Sequence, residues 1–457
     1  MDLWPIVGGA IFATLVVGCG GGDAPNGASS SHAQPSPNQA MPVETAETSV
    51  GIGVRGASAP EPPLRIIVGG DLLPHRPSLI SPAAIGNALA PLGSLFGKAD
   101  AAIANYEAAT GEVGDKTERL AYAAPRGWLS ALHDAGLKGV TVANNHTCDL
   151  GESGLSATLE AAPASGMLAL GGDARDPWAP QVLAMRGGHT VCAVAWTTLM
   201  NSQGGCARSK QLAVAPPGRV GNAKIDRAIA RSLAECDATV AIFHGGQEYV
   251  PQTSTILEQA KHAADSGADA VIIHHPHVAS PVVVHETRDG RKVPIFASVG
   301  NLATNQGESW KPSMFPVMRT NRRLVCVNGW TRLGVLADLA FSFSDDSVRL
   351  DWGFHLSWTD NQHAQDRKVA VPKIETRLLD PTADRVIIDR LKEDTAGPNA
   401  LFSDPCWFER AGANDARCSA TFAHTSRFSE AAAMVEPVGK SPAAKAKKPS
   451  HKRSPRR

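Results

Sequence analysis

The sequence predicts an α/β domain of about three hundred residues. Three observations carry that prediction. Between residues 64 and 305, short apolar segments alternate with helix-like ones. Most of the apolar segments end in a carboxylate, an amide or an imidazole. The chain has 457 residues, enough for a large core and a second unit.

The elements follow in order. "LRIIVGGD" (64–71) is an apolar strand ending in Asp71, and "AAIGNALAPLGSLFGKAD" (83–100) is helical in part. "AAIANYE" (101–107) is a strand ending in Glu107, and "RGWLSALHDAG" (126–136) is a helix with a glycine stop. "KGVTVANNH" (138–146) is the next strand, and "GLSATLEAAPASG" (154–166) is a helix with Pro163 near its end. "TVCAVAW" (190–196) is a strand and "AKIDRAIARSLAEC" (223–236) an amphipathic helix. "ATVAIFHGGQE" (238–248) is a strand, "TSTILEQAKHAADSG" (253–267) a helix and "ADAVIIHHPHV" (268–278) a strand, with "VPIFASVGN" (293–301) after it. The segment from 376 to 430 is less regular and reads as a C-terminal extension to a domain at 63–375.

The two ends differ from this domain. Residues 1–19 hold an apolar run too short for a comfortable membrane span, closing in Val16-Val17-Gly18-Cys19. That pattern resembles a bacterial lipobox, with Cys19 as the lipidation site. Asp2 stands where a basic residue is expected, so a plain signal peptide or a membrane anchor stays open. Residues 20–62 are rich in Gly, Ser and Pro and read as a disordered stalk. Residues 431–457 are a basic tail suited either to anionic lipid or polymer or simply to solubility. A lipid anchor at Cys19 would tether the domain to a membrane on its extracytoplasmic side, in the cell envelope.

Lys+Arg and Asp+Glu are both 44, so net charge gives no pull toward nucleic acid. Without Cys19, seven of the eight cysteines remain. Outside the cytoplasm some should pair. Cys406 with Cys418 is the preferred pair and Cys192 with Cys206 the second, with Cys148 buried beside the site.

The polar residues share one location, the C-terminal end of a strand, where α/β sheets build their ligand sites. Asp71, Glu107, Asn145, His146, His244, His275 and His277 all stand there, with Glu248 just beyond His244. Six of the 15 histidines (His75, His146, His244, His274, His275 and His277) fall in these polar segments. Any one alone reads as a cap or a satisfied polar residue. Together they point to metal binding. In His275-Pro276-His277 the proline fixes the backbone and presents both imidazoles within one turn.

Six segments in order, "VGGDLLPHR", "ADAAIANYE", "VTVANNHTCDLGESGLSATLEAA", "FHGGQEY", "GADAVIIHHPHV" and "PIFASVGNL", resemble the CapA family of bacterial poly-γ-glutamate or capsule synthesis proteins. That family's domain is similar to calcineurin-like metallophosphoesterases. Ile273, Tyr106 and "SVGNL" depart from the usual pattern without removing a ligand. The resemblance implies a metallo-dependent phosphatase-like fold, two packed β-sheets flanked by helices (αββα). It also implies two divalent metal ions. Asp71 and His277 would hold one, with His75 as a less secure addition. Asn145, His244 and His275 would hold the other, and Glu107 would bridge. Such mixed donors suit Mn, Fe or Zn better than Ca.

The resemblance further implies that His146 protonates a leaving oxygen. Asp149 either orients His146 or caps the turn at Gly151. Glu248 contacts substrate or metal, or is a solvated loop residue. Asn144 is a candidate substrate contact. Asn301, with Ser298, either lines the pocket or shapes a turn. Two functions stay open: metal-dependent hydrolysis of a phosphoester or related bond, and binding, anchoring or export of an anionic polymer such as poly-γ-glutamate, in company with a polymer synthase complex. A homologue keeping its ligands only for stability is the third.

Overall fold

A computed structural model describes residues 61–423, apart from 113–121, 202–204, 207, 217, 252–253, 315–321 and 412–417. The expected signal segment with Cys19, the stalk up to residue 60 and the basic tail lie outside the described residues. Among the described residues, no helix is long and apolar enough to cross a membrane.

In chain order the strands begin with β1 (Leu64–Leu72), β2 (Ala101–Tyr106), β3 (Ala109–Thr110), β4 (Ala123–Ala124), β5 (Gly139–Thr141) and β6 (Leu168–Leu170). Next come β7 (Gln181–Arg186), β8 (His189–Thr197), β9 (Ala238–His244), β10 (Ala270–His274), β11 (Val282–Glu286), β12 (Lys292–Phe296) and β13 (Asn301–Ala303). The last are β14 (Leu333–Phe343), β15 (Ser347–Asn361), β16 (Ile374–Leu378) and β17 (Cys418–Ala423). The helices that matter here are α1 (Pro82–Leu89), α2 (Gly93–Phe96), α3 (Gly127–Asp134), α4 (Gly151–Ala164), α5 (Arg219–Glu235) and α6 (Ser254–Asp265).

Two sheets result. One runs β16-β15-β14-β1-β2-β5-β6, with β13 also on β1 and β17 also on β15. The other runs β11-β12-β10-β9-β8-β7. The central strands are apolar on both faces, and the period of two sorts their residues. In β1, Ile66 and Val68 enter the core between the sheets, while Ile67 packs outward with Leu129 and Trp128 of α3. In β9, Ile242 faces the inter-sheet core, while Ala241 and Phe243 join Ile229 of α5 and Ala260 of α6. Helices therefore cover the outer face of each sheet, which is the αββα arrangement the family resemblance implied.

Three expectations need correction. The segment 293–301 is not one strand. β12 ends at Phe296, and the chain crosses to the first sheet, where β13 pairs parallel with β1. The crossing is tight: a Cβ at Gly70 would lie 2.2 Å from the Gly300 carbonyl oxygen, and Gly300 itself has φ 63°. The boundary placed at 375 falls inside β16, and β16 and β17 both pair with β15. Leu391, Leu401, Phe402 and Trp407 pack into the same inter-sheet core, so residues after 375 complete the first sheet. Finally, Cys206 bonds to Cys148 and Cys192 to Cys236, while Cys406 does pair with Cys418. The expected pair Cys192 with Cys206 does not form, because Cys192 lies on β8 and meets the chain where α5 turns into β9. Cys326 is the free cysteine among the described residues.

A buried ion network ties the two ends of this domain. Arg65 of β1 donates to Asp338 of β14 from Nε at 2.9 Å. His355 of β15 stands 3.4 Å from Asp338 and 2.5 Å from Glu409 of the short helix Phe408–Ala411. Burial opposes charge on His355, but Asp338 and Glu409 outweigh it and raise the pKa. A raised pKa means that His355 stabilises the fold fully below its unfolded value of about 6.5 and loses that contribution as pH climbs through the folded value. We expect His355→Gln to cost about 2–4 kcal/mol near pH 6 and less as the solution is made alkaline. Urea unfolding at a series of pH values measures this, and a deficit independent of pH would contradict it.

Candidate metal centre

The site lies where the C-terminal ends of β1 and β2 meet those of β9 and β10. A register shift in the β1–β2 ladder between Val68 and Asp71 re-aims the end of β1. Asp71 and Glu107 are both fully buried there. The second sheet contributes His244 at the end of β9, then His275 and His277 beyond β10. His275 (φ 102°) and His277 (φ 58°) both adopt left-handed backbone conformations, on either side of Pro276. Such strain persists where the surroundings over-determine it, and it concentrates at functional sites.

Donor atoms converge. Those of Asp71, Glu107 and His244 lie within 4.8 Å of one another, as do those of Glu107, His275 and His277. Glu107 belongs to both groups, as a bridging carboxylate would. His277 Nδ1 is 3.1 Å from Asp71 Oδ2, and His244 Nε2 is 2.8 Å from Asn145 Oδ1. Glu107 Oε1 stands 3.7 Å from ring nitrogens of both His244 and His277 and takes part in no hydrogen bond. Atoms coordinated at about 2.0–2.2 Å to one ion sit at comparable separations from each other. The orphaned oxygen and the mixed donor set both fit a bound cation, so these buried groups could hold a metal ion. The grouping differs in one respect from the expected one, since His275 converges with His277 and Asp71 also with His244.

Electrostatics agree. Burial raises the Glu107 pKa well above the usual carboxylate range; His277 opposes this, and Asp71, Glu248 and Asp149 add to it. Burial would raise Asp71 too, but His277, His274 and an Asn105 hydrogen bond hold it low. Burial opposes charge on His277, yet Glu107, Asp71 and Glu248 lift its pKa to about 10. Burial, reinforced by the neighbouring imidazoles, drives His244 well below its ordinary value. Acids crowded into a dry pocket, with His277 as their main cationic partner, favour an added positive charge.

Asn105, which sequence reasoning passed over, links these groups. Its Nδ2 donates to Asp71 Oδ1 at 2.8 Å and lies 3.2 Å from His244 Nδ1. Its Oδ1 accepts from Thr141 Oγ1 at 2.9 Å and Asn144 Nδ2 at 3.2 Å. A usable signal existed: Asn105 precedes Glu107 by two in a strand, so both emerge on one face.

Other assignments change. Asn144 is spent on its own turn and on β2, donating to Tyr106 O at 2.7 Å and accepting from His146 N–H at 3.1 Å, so it does not face substrate. Asn301 Oδ1 accepts from His277 Nδ1 at 3.0 Å and its Nδ2 donates to Thr331 O at 2.8 Å; it is a buried support for His277 and not a pocket wall. His75 stands outside the converging groups. Its Nδ1 accepts from Asn305 N–H at 3.0 Å and its Nε2 meets Tyr122 Oη at 3.2 Å, leaving neither ring nitrogen for a metal. Burial, helped by His277 and His146, lowers its pKa to about 3. Glu248 is buried near the acids and is no solvated loop residue.

His146 and Asp149 form a second feature beside the ligands. His146 Nδ1 is 2.7 Å from Asp149 Oδ2, and Asn201 Nδ2 approaches the same nitrogen at 3.5 Å. Gly151 N–H bonds to Cys148 O, so Asp149 does not cap that turn through its side chain. The Cys148–Cys206 disulfide ties this loop to the segment that carries Asn201.

Residues 65–306, just over half of the chain, match the family described as "Bacterial capsule synthesis protein PGA_cap". Among curated relatives, the "PGA biosynthesis protein CapA" of Bacillus subtilis (strain 168) is 26% identical over 209 residues, covering 44% of this chain and 50% of the relative. The "Capsule biosynthesis protein CapA" of Bacillus anthracis is 28% identical over 194 residues, covering 39% and 43%. The chain spans about half the length of the curated relatives it matches. The matched region contains every candidate ligand from Asp71 to His277.

Removing the linking amide should loosen the ligands without deleting one. Asn105→Ala is expected to weaken Mn²⁺ binding about 10–100-fold, read by isothermal titration against the parent protein. An unchanged affinity would show that the ligands hold their places without it.

Proposed function

The chain belongs to the bacterial capsule synthesis protein family PGA_cap, and from that premise we propose that it serves the biosynthesis of an extracytoplasmic anionic polymer through two-metal hydrolytic chemistry on a phosphoester or related bond. The observation that carries this reading is the buried convergence of Asp71, Glu107, His244, His275 and His277, with Asn145 against His244, next to the His146–Asp149 pair. In this reading the protein works in the cell envelope, tethered through Cys19.

Asp71, Glu107, Asn145, His244, His275 and His277 would hold two divalent ions, Mn, Fe or Zn by their donor chemistry. When bound, such a pair supplies a water of lowered pKa and neutralises charge on a phosphoryl group. Asn105 keeps the Asp71 carboxylate and the His244 ring turned toward each other. His146 delivers a proton to the leaving oxygen from Nε2, because Nδ1 is engaged by Asp149. Asp149 fixes that ring orientation and stabilises the ring when charged.

The test uses purified protein. Elemental analysis should find divalent metal, and generic phosphoesters should be turned over in a chelator-sensitive way. On an ester with a basic leaving group, His146→Ala should keep the metal and lose about 10²–10⁴-fold in kcat. Turnover indifferent to chelator would rule out the hydrolytic reading, and an unimpaired His146→Ala protein on such an ester would remove His146 from the acid's role. If polymer production in the native host survives that substitution unchanged, an anchoring or export role on the same fold is favoured instead.

A further inference from the structure

We propose that Tyr122, held in place by His75, positions the imidazole of His146, so that the side of the site next to the candidate ligands is built to deliver a proton. The inference rests on the hydrolytic reading above and gives His75 a different task from metal binding. Tyr122 and His75 are positioning residues in it, and His146 is the group that meets substrate.

Three contacts fix Tyr122. Its backbone N–H donates to Asp149 Oδ2 at 2.7 Å, the same oxygen that lies 2.7 Å from His146 Nδ1. Its carbonyl accepts from Ala109 N–H at 2.9 Å, which pins the backbone to β3. Its ring lies between two imidazoles, 4.4 Å from His146 at 57° and 5.2 Å from His75 at 89°. One residue thus restrains both the acid's carboxylate partner and the face of its ring.

The tautomer of His75 follows from its neighbours. Asn305 N–H donates to Nδ1, so Nδ1 carries the lone pair and Nε2 carries the hydrogen. That hydrogen points to Tyr122 Oη at 3.2 Å. Asn305 is braced in turn, donating from Nδ2 to the buried Glu308 at 2.7 Å and accepting from Asn361 at 2.6 Å. Support therefore runs from the end of β15, through Asn305 and His75, to Tyr122 and His146. A polar chain of this kind orients the final donor by limiting its rotation.

General-acid help matters most when the leaving oxygen is basic. The experiment therefore compares phenyl phosphate with p-nitrophenyl phosphate, whose leaving group needs little protonation. With the full chain, Tyr122→Ala is expected to lower kcat about 10–100-fold on phenyl phosphate and no more than about 3-fold on p-nitrophenyl phosphate. KM and metal content should stay at parent values. Tyr122→Phe keeps the ring but not the Oη contact with His75, and should recover the loss to within about 3–10-fold of the parent, the level of His75→Gln. His75→Gln should show the same contrast, about 3–10-fold, with full metal content, whereas His277→Gln should lose metal. If Tyr122→Ala does not fold, His75→Gln and Tyr122→Phe decide the matter. Equal losses on both substrates, or loss of metal from His75→Gln, would overturn this inference alone. Parent protein without chelator-sensitive turnover would overturn the hydrolytic reading and this inference with it.

Discussion

Two carboxylates buried against each other demand positive charge, and the rest of the site is organised around that demand. Asp71 and Glu107 arrive on neighbouring parallel strands of one sheet, Asp71 paired with Asn105 in the ladder. Imidazoles answer them: His277 and His274 help hold Asp71 low, and His277 opposes the rise of Glu107. Those imidazoles come from the other sheet. The electrostatic requirement and the face-to-face packing are thus one constraint: without the second sheet, the acids of the first would have no counter-charge. The apolar core between the sheets fixes the distance across which that charge is supplied.

Asn105 converts this proximity into geometry. A primary amide has two donors and an acceptor with two lone pairs, and here all are engaged on candidate ligands, on the end of β5 or on the loop that carries Asn145. It touches Asp71 directly, approaches His244 across the sheet interface, and steadies the Asn144–His146 turn through Asn144. The site is therefore one connected polar network, in which partial satisfaction would be costly.

Much of this was legible in the sequence because strand periodicity and strand ends are local signals. The apolar runs closing in Asp71, Glu107 and His244 declared both the strands and the direction of the site. What stayed hidden depends on folding back. Asn144 and Asn301 look identical in type to Asn145, and only their partners separate a candidate ligand from a brace. His75 sits four residues after Asp71, yet its ring is claimed by Asn305, over two hundred positions away. Tyr122 carries no signal at all, being an aromatic beside a small-residue strand. The disulfide Cys148–Cys206 joins two loops whose nearness arises only when β5 and β8 lie in opposing sheets.

The region that matches the family ends at residue 306, but the folded unit does not. β14 pairs antiparallel with β1 from Leu64 to Val68, along the strand that delivers Asp71. Asn301, which steadies His277, donates to Thr331 O, and Asn305, which sets the His75 tautomer, is held by Asn361. Were the chain cut at the end of the match, β1 would lose its β14 partner and expose apolar surface that Val335, Ala337 and Leu339 now cover. His277 and His75 would each lose part of their bracing. The stretch that carries the ligands and the stretch that holds them still are therefore different parts of the chain. The second stretch, built on the long strands β14 and β15, braces the site while supplying none of the candidate donor atoms.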